Sequence, residues 1–185
     1  MTDVEFFVDP SCPWVWITSR WIKEVAPQRD LKVTWRSHCL EIMDDYGVVP
    51  TMPEAHRATA VAAHAIAHRM LRIFEAVRAE SGEGPIDALY TDWGTRFFAT
   101  GAGYGENLLT ETLAACGIDP GRVKAADEEK WDGPIQESME VAYAFGGAQD
   151  PVADHRRALR PAPRVQGSGH GARAHRRRCP APLGR

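Results

Sequence analysis

Apolar and polar positions change their period twice within the first 35 residues. Residues 4–8 (Val-Glu-Phe-Phe-Val) form a short apolar run that stops at Asp9-Pro10, the pattern of a buried strand with a turn behind it. The period then becomes helical. Trp14, Ile17, Trp21 and Val25 recur at helical spacing. Pro13 fits the first helical position, where its missing N–H leaves nothing unpaired, and Pro27 closes the segment. Ser11 or Cys12 stands where a cap belongs. Residues 31–35 (LKVTW) alternate once more as a second strand. Strand, helix and strand in so short a span predict a βαβ unit with a parallel pair.

Beyond it the pattern is helical. An Ala-rich segment with charged residues on one face predicts a helix over 53–80, and another follows over 85–98 until Gly101, Gly103 and Gly105 break it. Further helices are predicted over 108–116, near 122–130 and over 134–145. A helical block placed after a βαβ unit predicts an α/β fold with a helical cap. The organisation expected is therefore a βαβ half over 1–37, a helical insertion with a return helix over 38–147, and an irregular tail over 148–185.

Charge sets the tail apart. The chain of 185 residues has a net charge of -3, but residues 1–150 carry 13 basic and 24 acidic side chains, whereas 151–185 carry nine arginines and one acid, Asp154. The tail has no aromatic residue and no apolar stripe, the composition of a disordered segment. Its arginines (Arg156, Arg157, Arg160, Arg164, Arg173, Arg176, Arg177 and Arg178 before the terminal Arg185) lack the aromatic interleaving of a nucleic-acid surface, so no nucleic-acid partner is expected. No apolar run approaches the roughly 18 residues of a membrane span. The first ten residues have no basic start and no long apolar stretch, so a cytoplasmic location with reduced thiols is expected.

The chemistry concentrates at Asp9-Pro10-Ser11-Cys12-Pro13-Trp14. A cysteine between a strand and a helix meets unpaired backbone N–H groups and the positive end of the helix dipole, and both favour thiolate, the attacking species. In a dithiol oxidoreductase the residue three places on is a second cysteine, which releases the mixed disulfide. Here that residue is Val15, so either an external thiol resolves the mixed disulfide or Cys12 acts without forming a lasting one. Cys39 and Cys116 read as small core residues, and no two of the four cysteines, Cys179 included, have zinc-ligand spacing. His64 and His68 stand at i and i+4 on a helix, a spacing that can hold zinc, but no Glu follows His64; solvated histidines and no metal are expected. Tyr90, Trp93 and Arg96 share a helix face.

The stretch FFVDPSCPWVWITSRWIKEV resembles the actinobacterial branch of the DsbA-like thioredoxin-superfamily proteins that includes the mycothiol-dependent nitroreductases, and the likeness continues through ALYTDWGTRF and KWDGPIQESMEVA. The resemblance implies a thioredoxin-like α/β fold with an inserted helical subdomain and Cys12 as nucleophile, supported by Pro13 and Trp14. It further implies Val15 in the place of the resolving cysteine, and Tyr90, Trp93 and Arg96 as candidates to line a substrate cleft. The expected co-substrate is a low-molecular-weight thiol such as mycothiol, acting with an electrophilic small molecule and no tightly bound cofactor. Kappa-class glutathione transferases and chromene-carboxylate isomerases are similar in architecture, and make a transferase or isomerase the alternative; a non-catalytic remnant is a third. The family's cis-proline strand and its later Phe-Phe-Gly-Pro-Val-Leu motif are absent, so the C-terminal strands are expected to be missing. With GC-rich codons, residues 150–155 shifted by one base can read Ile-Pro-Ser-Pro-Thr-Ile, and residues 170–175 Thr-Gly-Pro-Val-Leu-Thr. Two family motifs in order and in one shifted frame point to a frameshifted C-terminal part.

Overall fold

In a computed structural model of the chain, the described residues are 2–44, 49–101 and 103–145. Strand β1 (Thr2–Val8) and strand β2 (Leu31–Ser37) pair in parallel, with Val4 opposite Val33 and Phe6 opposite Trp35. Helix α1 (Pro13–Val25) makes the crossover, and Asp30 turns the chain into β2 with φ of 50°, a left-handed conformation that Asp tolerates better than most residues. Among the described residues the sheet has these two strands. The tail over 148–185 lies outside the described residues.

The helical block is organised around α3 (Glu54–Ser81). Its buried side chains run from Ala63 to Val77, and Met70, Leu71, Ile73 and Phe74 have no solvent exposure. Against this face pack α4 (Ile86–Gly94), α5 (Asn107–Ala115) and α6 (Asp132–Phe145), through Leu89, Tyr90 and Trp93, Leu109 and Leu113, and Ile135 and Met139. Fully burying a large apolar side chain stabilises by about 1.5–3 kcal/mol, so α3 supplies the axis on which the block depends. The sheet joins this core through Trp35, whose ring lies 5.3 Å from Phe6 and 5.5 Å from Tyr90. No helix among the described residues is long and apolar enough to cross a membrane.

Two expectations change, and the inner face of α1 is defined. The stripe Trp14, Ile17 and Trp21 is not the inner face of α1: these side chains are 77%, 59% and 59% exposed. The inner face is Val15, Trp16, Ser19 and Ile22, and the buried Ser19 hydroxyl satisfies itself on the Trp16 carbonyl at 2.6 Å. A polar residue hidden by such a local bond disguises a core face. The helix expected near 122–130 is instead two 3₁₀ stretches, Pro120–Asp127 and Glu129–Trp131, the first opened by the Asp119 carboxylate accepting from the Gly121 N–H at 2.9 Å. Helix α4 does not continue regularly to residue 98 but widens into a π-helical turn, Thr95–Thr100. A short helix, α2 (Leu40–Asp44), had no periodic signature at five residues.

The junction of α1 and α4 is tight at one point. A Cβ on Gly94 would lie 2.1 Å from the Trp16 ring, which is held between Phe98 at 5.8 Å and Tyr90 at 5.9 Å and covered by the Arg20 guanidinium at 4.0 Å. Gly94→Ala is expected to destabilise the fold by about 1–3 kcal/mol in urea denaturation, as overpacking does. The control Gly133→Ala, in an open position on α6, should be neutral or slightly stabilising. Equal midpoints for the two variants would contradict the packing of Trp16 against Gly94.

Candidate functional site around Cys12

Strand β1 delivers the chain into a turn that is buried up to the residue before the thiol. Asp9, Pro10 and Ser11 are buried, and Cys12 is half-buried. The Cys12 N–H donates to the Asp9 carbonyl at 3.1 Å, and the Cys12 carbonyl accepts the first helical hydrogen bond from Trp16 at 3.0 Å. Cys12 is thus the N-cap residue of α1, extended at φ −81° and ψ 112°, with Pro13 directly after it. No side chain caps the helix, so the orphan N–H groups of its first turn remain free for a group at the thiol position.

The turn is braced from two sides. The indole N–H of Trp93 donates to the Pro10 carbonyl at 2.8 Å from within α4. The Asp9 carboxylate, 2% exposed, accepts from the Ser11 N–H at 2.7 Å, from the Ser11 hydroxyl, and from the Leu40 N–H at 2.7 Å. Burial pushes the Asp9 carboxyl up from the ordinary range, against the opposing pull of these donors and of His64. Burial also pushes His38 down.

The residues singled out from sequence separate into two groups. Cys12, Pro13, Trp14 and Val15 come together at the start of α1, with Trp14 open to solvent and Val15 packed against the core. Tyr90 and Trp93 have no exposure, so they wall no cleft: their shared face is the one that α4 buries against the sheet and the Cys12 turn. Burial pushes the Tyr90 phenol up. Arg96 is held by Asp92 at 2.6 Å and Glu111 at 2.8 Å. Cys39 has no exposure, and Cys116 is partly buried against the core; burial pushes both thiols up.

His64 and His68 are not solvated. His64 is 7% exposed, and the His68 ring lies between Glu41 at 2.7 Å and Asp132 at 2.8 Å, joining α2, α3 and α6. Asp132 also receives a two-point contact from Arg72, at 2.6 and 2.7 Å. The periodic reading missed this because both carboxylates come from distant parts of the chain. Among the described residues no group of three His, Cys, Asp or Glu side chains is placed to hold a metal ion. Asp9 was legible only as part of an Asp-Pro turn; its carboxylate partner Leu40 lies 31 residues away.

A profile of the Rv2466c-like family, described as mycothiol-dependent nitroreductase Rv2466c, matches residues 11–153. The chain belongs to this family. The matched span begins at the turn just described and runs through all the helices to α6. A curated relative, the uncharacterized protein Rv2286c of Mycobacterium tuberculosis, is 44% identical over 41 residues, which is 22% of this chain and 18% of that protein. The chain therefore aligns with less than a fifth of that relative's length.

The His68 clamp has a pH signature. Burial lowers the imidazole, but the contacts with Cys39, Glu41 and Asp132 outweigh it and push the group up to about 10. Because the folded value is raised above the ordinary 6.5 of a histidine, the stabilisation is fully present below pH 6.5 and is lost as pH rises through about 10. His68→Gln should be less stable than wild type at pH 6, with the gap narrowing by pH 10, in thermal melts across that range. A gap independent of pH would show that the clamp does not depend on the imidazolium.

Proposed function

We propose that the chain is a thioredoxin-like, DsbA-family thiol–disulfide oxidoreductase of the cytoplasm that works with a single thiol, Cys12, and a low-molecular-weight thiol of the mycothiol class. The observation that carries this reading is Cys12 at the uncapped N-terminus of α1, with Val15 where a resolving cysteine would stand, in a chain of a family described as mycothiol-dependent. The parallel βαβ unit is the arrangement expected of the N-terminal half of a thioredoxin-like fold.

The chemistry follows from the residues at hand. The Cys12 thiolate attacks one sulfur of a disulfide RS–SR′, forms Cys12–S–S–R and releases R′S⁻, which takes a proton from water. A second small thiolate, R″S⁻, attacks the sulfur of the R group, forms RS–SR″ and returns Cys12 as thiolate. Val15 has no sulfur, so the resolving step passes to the external thiol. Pro13 fixes the entry to the helix without consuming an acceptor. Trp14 offers an exposed apolar wall two residues from the sulfur. Trp93 holds the turn from beneath.

The residues from 148 onward are proposed to be the product of a shifted reading frame. The charge reversal at residue 150 and the two family motifs in one alternative frame support this. Sequencing the DNA around codons 146–150 tests it: a single-base difference that restores the Pro-Thr-Ile motif is expected, and an intact frame in independent isolates would contradict it.

Incubation with mycothiol disulfide should add one mycothiol mass to the wild-type protein, located on Cys12, and none at that position in Cys12→Ser. Val15→Cys should replace the adduct with an internal disulfide between positions 12 and 15, because the two are one helical turn apart. An internal bond from Cys12 to Cys39 or Cys116 in the wild type would overturn the monothiol reading.

A further inference from the structure

We infer that Asp9 is a positioning residue for Cys12: by holding the Ser11 hydroxyl, it keeps a competing cap off the amides at the start of α1. The inference rests on the reading of Cys12 as the nucleophile. The donors available there are few. Pro13 has no N–H, and the Trp16 N–H is already bonded to the Cys12 carbonyl at 3.0 Å. That leaves the N–H groups of Trp14 and Val15 to face an anion at the thiol position.

Serine is among the strongest capping residues, and Ser11 directly precedes the N-cap. Free to rotate, its hydroxyl would compete as an acceptor for the Trp14 N–H, one of the two amides left to face the thiol. Instead both Ser11 donors are turned back onto Asp9 Oδ1, and Oδ2 accepts from the Leu40 N–H at 2.7 Å, so the carboxylate is fixed by a partner outside the turn. The Asp9 carbonyl completes the arrangement by accepting from the Cys12 N–H at 3.1 Å. With 2% exposure, the carboxylate has almost no water to replace these donors.

This separates two roles that ordinary mutagenesis confounds. The Leu40 contact is structural, because it ties the turn to α2. The Ser11 contact governs what the Cys12 sulfur meets. Asn at position 9 keeps a partner for the Ser11 hydroxyl in either amide orientation, but loses the charged acceptor for the Leu40 N–H. Ala loses both.

The test is the rate of Cys12 alkylation by iodoacetamide at pH 7, read on the Cys12 peptide by mass spectrometry, alongside thermal melts of each variant. Asp9→Ala should slow alkylation roughly tenfold. Asp9→Asn should stay near wild type in rate although its melting temperature falls with that of Asp9→Ala. The double variant Asp9→Ala with Ser11→Ala should recover much of the rate, since the competing hydroxyl is gone. A double variant as slow as Asp9→Ala, rates that simply follow the melting temperatures, or a wild-type rate in Asp9→Ala would each overturn the inference. A wild-type Cys12 no faster than N-acetylcysteine would overturn the nucleophile reading itself, and this inference with it.

Discussion

A carboxylate with almost no access to water holds the end of β1. Asp9 is held by three donors, two from Ser11 and one from Leu40, and losing a buried hydrogen-bond partner typically costs about 1–3 kcal/mol. That constraint fixes more than one residue. It aims β1 into a tight turn, starts α1 at Pro13 and anchors the first residue of α2. The Trp93 indole adds a brace from α4, so the segment before Cys12 is held by the sheet, by α2 and by α4 together. A thiol mounted on such a turn has its position set by the core, even though the residue itself is half-buried.

The helical block serves this arrangement by supplying walls that do not yield. Trp16 is wedged between Tyr90 and Phe98 and lies against the bare Cα of Gly94. Tyr90 in turn meets Trp35 of β2, which closes a continuous aromatic path from the sheet to α4. Also on α3, His68 joins three helices through two carboxylates. The two clusters share α3 as their support, which is why its inner face has no exposed apolar position between Met70 and Val77.

Local patterns in the chain were enough to place β1, α1, β2, the long α3 and α5, and to set Cys12 at a helix start. Each of these rests on signals within a few residues: Asp9-Pro10, Pro13, the run of alanines, Gly117. What local patterns could not place depends on partners far away. The inner face of α1 is not marked by apolar spacing, because the buried Ser19 interrupts it, and the Gly94 against which Trp16 packs lies 78 positions later. The short α2 is started by a carboxylate 31 residues before it. His64 and His68 looked solvated because no partner for either stands nearby in the chain, and Glu41 and Asp132 reach His68 only with the tertiary fold. Tyr90 and Trp93 share a face as expected, but that face is occupied by the turn it supports.

Of the three described cysteines, Cys39 is buried and Cys12 and Cys116 are partly buried, and the proposal is that Cys12, at the start of a helix, is the one that reacts first. A limiting amount of a thiol-reactive label, added to the native protein at neutral pH and mapped by peptide mass spectrometry, tests it directly. The expected order is Cys12 first, Cys116 well behind, and Cys39 protected until the protein is unfolded. Labelling of Cys39 or Cys116 ahead of Cys12 in the native state would contradict the account.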